Sequence, residues 1–251
     1  MQAMYKICLA IVFGLTLLYA FQGFYPNFIS IFSNAFPPFI AGAALIFSVF
    51  ALKKYSGDLK TYYSIVWPFF TLWLALWFLG ETCWAIYTLI LNVEVPFPSI
   101  ADIFWLCGYI PLSAALLIYL RTFWSVLSKS TIGIAVGIFL SLGIPASVAL
   151  ITPIMTLEED IVAMFFDVAY VSFDIFMLFL AILGLTIFLK GSLGKSWLSI
   201  NSGLLSTIVA DVLFGITNAQ ETYYPGHPLE LFFHLGYVLF LLAFYIHTKE
   251  L

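Results

Sequence analysis

Long apolar runs follow one another along the chain, separated by short breaks that hold most of the charged residues. The runs cover roughly residues 7–23, 38–52, 62–91, 101–120, 131–152, 160–189, 197–218 and 228–247. A helix of about 20 residues crosses a hydrocarbon core of ~30 Å, so the pattern predicts eight transmembrane helices. Barrel strands would read as short alternating segments, and none are found. The first run follows Lys6 and lacks a small-residue cleavage site, so it reads as a span, not a signal peptide. The expected fold is one all-α integral membrane domain over residues 1–251.

The polar breaks carry an orientation signal. Lys6, Lys53, Lys54, Lys60, Arg121, Lys129, Lys190, Lys195 and Lys249 all fall on one side of an eight-span arrangement. The opposite breaks hold Glu94, Glu158, Glu159, Asp160 and Glu221, and no base. Basic residues stay in the cytoplasm, which places both termini there in a multi-pass protein of the cell membrane. Seven spans would break this segregation.

Composition sharpens the picture by exclusion. The 251 residues are 63% hydrophobic and 9% charged, too oily for a soluble domain of this size. Cys8, Cys83 and Cys107 are scattered and suggest neither a disulfide framework nor a zinc site. His227, His234 and His247 cannot form a three-histidine metal site across two membrane faces; carboxylates with His234 are the alternative that stays open, and no metal or cofactor is expected. No basic patch suggests nucleic acid. No Lys lies deep in a span, so a retinal Schiff base has no attachment point.

The fourth and eighth runs resemble each other. "DIFWLCGYIPL" starts at Asp102 and "ELFFHLGYVLF" at Glu230, with Gly108-Tyr109 and Gly236-Tyr237 at the same offset. The runs before them match too: Glu81 in "FLGETCW" corresponds to Asp211 in "IVADVLF". A period of four spans predicts two parallel halves, about 1–125 and 126–251, a device known from transporters.

Six carboxylates lie in or at the edge of the runs: Glu81, Asp102, Asp167, Asp174, Asp211 and Glu230. Asp102, three residues after Ser99, fits a variant of the capping box, and Glu230 fits a first helical turn. The others have no such local role. Acids inside a membrane are costly and point to function or to interhelical bonding. Asp174 lies ~20 Å along its helix, near mid-membrane, and Asp167 shares its face. Glu81, Asp211 and His234 sit in the outer halves of their spans. The expected site is an outward-facing cavity walled by Trp84, Trp105, Tyr109, Tyr170 and Tyr237, with Glu81, Asp102, Asp167, Asp174, Asp211 and His234 as its polar groups.

These motifs bear a resemblance to known proteins. "PSIADIFWLCGYIPL", "GETCW", "ADVLF" and "GYVLFLLAF" look like the multi-span membrane sensor domain that precedes histidine kinase or diguanylate cyclase modules in bacteria and archaea. The resemblance runs from about residue 62 onward. It implies a sensor binding a small or lipid-like ligand, with Glu81, Asp102, Tyr109, Asp211 and Tyr237 at the matching positions. Such domains feed an output module. This sequence stops at Leu251, so a separate cytoplasmic or membrane signalling partner is expected. "GLLSTIVAD" and "GYVLFLLAFYI" are also similar to the eight-span lysoplasmalogenase-type family. That resemblance implies a lipid hydrolase with Glu81, Asp174 and Asp211 as its acids. A small-molecule or proton-coupled transporter is a third reading.

Overall fold

The computed structural model describes residues 2–55, 62–157, 160–189, 191 and 194–250. Lys60, Glu158, Glu159 and Lys190 lie outside the described residues. The described chain forms eight long helices: α1 Gln2–Ala20, α2 Pro26–Tyr55, α3 Tyr62–Ala85, α4 Ile100–Thr122, α5 Lys129–Leu157, α6 Ile161–Leu189, α7 Lys195–Ala219 and α8 Glu230–Glu250. All eight are long and apolar enough to cross a membrane. The protein is a polytopic, all-α membrane protein.

Most boundaries agree with the hydrophobic pattern, but α2 starts twelve residues before the expected 38. Pro37 and Pro38, at the edge of the expected run, both lie inside the helix. They cannot donate to the carbonyls one turn back, a defect that helices in a bundle tolerate when neighbouring groups compensate. Pro26 takes the first helical position instead, where a missing N–H costs nothing. Ser33 and Asn34, which interrupted the apolar run, bond back to the Ser30 carbonyl at 3.1 and 2.7 Å. A polar residue inside a span is thereby satisfied within its own helix.

Six helices close into a ring in the order α2, α3, α4, α6, α7, α8, and α8 returns to α2. The other two lie outside it, α1 against α8 and α5 against α6 and α7. Tyr19 at the end of α1 reaches Glu230 and His234 at the start of α8, so these helices run antiparallel. The Lys54 amine bonds the Thr248 carbonyl at the other end. The described basic residues lie at this second end, with Lys53 and Lys54 in the last turn of α2, Arg121 in that of α4 and Lys249 in that of α8. Segments 91–99 and 220–229 cover the first end, which is called the loop end below.

The half of the ring away from the loops is packed with aromatic rings. Trp67, Phe70, Trp73, Phe240 and Phe244 are fully buried. Ring centroids lie 4.7 Å apart for Trp73 and Phe240, 5.3 Å for Trp67 and Phe244, and 5.5 Å for Phe70 and Trp197. These are edge-on or tilted contacts that suit the aromatic quadrupole.

Candidate ligand-binding site

At the loop end, two acids anchor helix starts. The Asp102 carboxylate accepts from the Ser99 backbone N–H and the Ser99 hydroxyl, each at 2.7 Å, which forms the reach-back half of a capping box. Its other oxygen accepts from the Tyr170 hydroxyl of α6 at 3.0 Å. Glu230 does equivalent work in α8. It accepts from the Gly226 N–H and the Tyr223 hydroxyl at 2.9 and 2.8 Å, and from Tyr19 of α1 at 3.0 Å. Charge-assisted bonds of this kind hold a loop and a neighbouring helix on each carboxylate.

Deeper in the ring, three carboxylates from three helices come together. Tyr237 of α8 donates to Glu81 of α3 at 2.6 Å. Tyr109 of α4 donates to Asp174 of α6. Asp211 of α7 lies within electrostatic reach of both acids, and Tyr109, Tyr170 and Tyr237 all lie within reach of Asp211. One Asp211 oxygen is buried without a hydrogen-bond partner among the described residues. The Trp77 indole stands edge-on between the two tyrosines, 5.7 Å from the Tyr109 ring and 6.3 Å from that of Tyr237.

Two glycines make this approach of helices feasible. A Cβ on Gly80 would stand 2.6 Å from the Trp105 indole nitrogen, and one on Gly108 would stand 2.5 Å from Trp77. Each glycine precedes a residue of the cluster, Glu81 or Tyr109, and lets an indole from the adjacent helix lie against backbone. Trp77 then donates to the Trp105 carbonyl at 3.1 Å, joining α3 to α4.

The expected residues do not all converge. Glu81, Tyr109, Asp174, Asp211 and Tyr237 share the cluster, and Tyr170 links it to Asp102. His234 belongs to a second group. It is 1% exposed, bonds Tyr19 at 2.9 Å and lies against the rings of Phe32 and Phe36. Helical phase explains the separation. At about 100° per residue the two side chains leave α8 some 60° apart, His234 toward α1 and α2 and Tyr237 toward α3. Trp84 is tied to α2 by a 2.8 Å bond to Asn34, although its ring stays 5.8 Å from Trp105. Asp167 is half-buried on α6, nearer the loop end.

Trp77, Tyr19 and Tyr223 were not expected at these places. Trp77 had a signal, since it lies one turn before Glu81 on the same face. Tyr19 had none, because its partners are more than two hundred residues away.

In apolar surroundings, three neighbouring carboxylates cannot hold three uncompensated charges. Shared protons, or a cationic or hydrogen-donating guest, would balance them. Among the described residues, no cluster has the make-up of a metal site. No family model, characterised protein or solved structure matches the chain.

Proposed function

We propose that this protein is a sensor-like membrane module that binds a small or lipid-like ligand at the Glu81–Asp174–Asp211 cluster and acts through a separate partner. The buried, unpartnered Asp211 oxygen carries this reading. A buried acceptor left unpaired costs about 1–3 kcal/mol, and a donor on a bound guest would recover it. The tyrosine and tryptophan rings around it suit the face of a cation or an apolar body. The packed aromatic half beneath favours a dead-end site over a transport path.

The basic residues at the end away from the loops support a cytoplasmic position for that end and for both termini, with the binding half outward in the cell membrane. A fourfold-span repeat fits the contact order, in which α2–α3–α4 and α6–α7–α8 follow one another round the ring. It also fits the glycine contacts. Gly108 meets Trp77 and Gly236 meets Thr207, and each partner stands four residues before the acid of its half.

Native mass spectrometry of detergent-purified protein tests the binding reading. A discrete co-purifying species present in wild type and absent in a folded Glu81→Gln/Asp211→Asn variant is expected. Retention of the same species by the variant would refute it. A lipid hydrolase is the second reading, favoured by the mutual reach of Asp174 and Asp211, which suits a pair sharing one proton. Turnover of a supplied vinyl-ether lysolipid that stops in Asp211→Asn would decide for it.

A further inference from the structure

The ring of six helices is uneven. Of its seams, α4–α6 is the slightest, while its counterpart under the repeat, α2–α8, is broad. The α4–α6 seam is held by side chains that belong to the site. The Tyr109 ring stacks on Phe173 at 5.0 Å and 12° and its hydroxyl bonds Asp174. Nearer the loops, Tyr170 bonds Asp102. Asp211 is within reach of both tyrosines.

Other routes to Asp211 are obstructed. At the loop end, the Ser99–Asp102–Tyr170 and Tyr223–Glu230–Tyr19 bonds fasten the covering segments to the helices. At the opposite end lies the aromatic packing of Trp67, Phe70 and Phe244. The outer face of α4 beside the seam is apolar, with Ile103 52% and Ile110 64% exposed. In a membrane, that face meets acyl chains.

We propose that the α4–α6 seam is a lateral doorway, latched by Tyr109 on Asp174 and Tyr170 on Asp102, through which a bilayer-dissolved amphiphile with a hydrogen-donating head group reaches Asp211. This rests on the carboxylate cluster being a binding site, and it narrows the ligand from small or lipid-like to lipid-like. Swinging the two tyrosine rings outward breaks the two latch hydrogen bonds, the Phe173 stack and the edge-on contacts of Tyr109 with Trp77 and Tyr170, and leaves the helices' own bonding intact. The apolar part of the guest stays in the bilayer or along the seam, and its donor meets the unpartnered oxygen.

Carbodiimides of opposite solubility test the route on protein reconstituted in phosphatidylcholine vesicles. A protonated carboxyl adds across the N=C=N bond and its proton moves to nitrogen. The acyl group then migrates to give a stable N-acylurea that keeps the whole reagent, and peptide mass spectrometry locates it. The apolar dicyclohexyl reagent is expected to modify Asp174 or Asp211, and the water-soluble dimethylaminopropyl reagent to leave both unmodified. Tyr109→Phe removes one latch bond and is expected to speed apolar labelling roughly five- to tenfold. Tyr19→Phe, at the α1–α8 contact, is expected to leave the rate unchanged. Equal labelling by the soluble reagent, no labelling by the apolar one, or no acceleration in Tyr109→Phe would overturn the doorway. The binding reading itself stands or falls on the native mass spectra, so the two failures are distinguishable.

Discussion

Two buried side-chain oxygens on one helix, Asn201 Oδ1 and Asp211 Oδ2, both lack a hydrogen-bond partner among the described residues, yet their surroundings differ. Asn201 lies in the aromatic half. Its amide nitrogen donates to the Trp197 carbonyl at 2.8 Å, and the side chain fills the space that Gly184 leaves on α6. Asp211, ten residues on, faces two other acids and three tyrosines. The first is a packing residue with a neutral group to spare. The second is an acid placed among other acids, one of its oxygens without a hydrogen-bond partner among the described residues. α7 therefore passes from a half packed with aromatic rings to a half where acids and tyrosines meet.

Substitutions in the two halves should separate stability from binding. The largest stability loss is expected for Phe244→Ala. It empties a fully buried ring site between Trp67 and Phe70 and should cost about 3 kcal/mol or more in denaturant titration of detergent-purified protein. Any bound species should survive wherever the variant still folds. Gly108→Ala comes next, since its methyl would overlap Trp77 and force the α3–α4 contact apart. A cost of about 1–3 kcal/mol is expected, read in the same titration. Unchanged stability would show that the close approach of the two helices is dispensable.

Ser99→Ala should cost about 1 kcal/mol, because Asp102 loses the hydroxyl but keeps the backbone N–H. The smallest stability effect is expected for Asp211→Asn. It replaces one of three neighbouring acids by a neutral amide whose N–H groups can donate to the other two, so its melting point should match or slightly exceed that of wild type. A steep loss of stability there would mark Asp211 as structural and erase the contrast between the halves.

The contrast was partly legible in the sequence, and the line between the legible and the hidden is local against long-range. The Asp102 cap could be read because Ser99 stands three residues away. The depth of Asp174 followed from helix rise, and Glu81 and Asp211 were placed in the outer halves of their runs, which suggested a shared cavity. The meeting of α3, α6 and α7 that brings them together is tertiary. His234 shows the limit. Depth put it with the acids, whereas the packing of α1 and α2 on its side of α8 put it with Tyr19, Phe32 and Phe36. The start of α2 was missed for a different reason. Pro37-Pro38 ends a helix in water-soluble proteins, but here the helix continues through both.

The most direct test sets the two α7 positions side by side in native mass spectra of wild type, Asp211→Asn and Asn201→Ala, each confirmed as folded by its melting curve. The expected result is one co-purifying species bound to wild type and to Asn201→Ala in similar proportion and missing from Asp211→Asn. Retention of that species by an Asp211→Asn protein that melts like wild type would contradict the account, because the unpartnered Asp211 oxygen would then hold nothing.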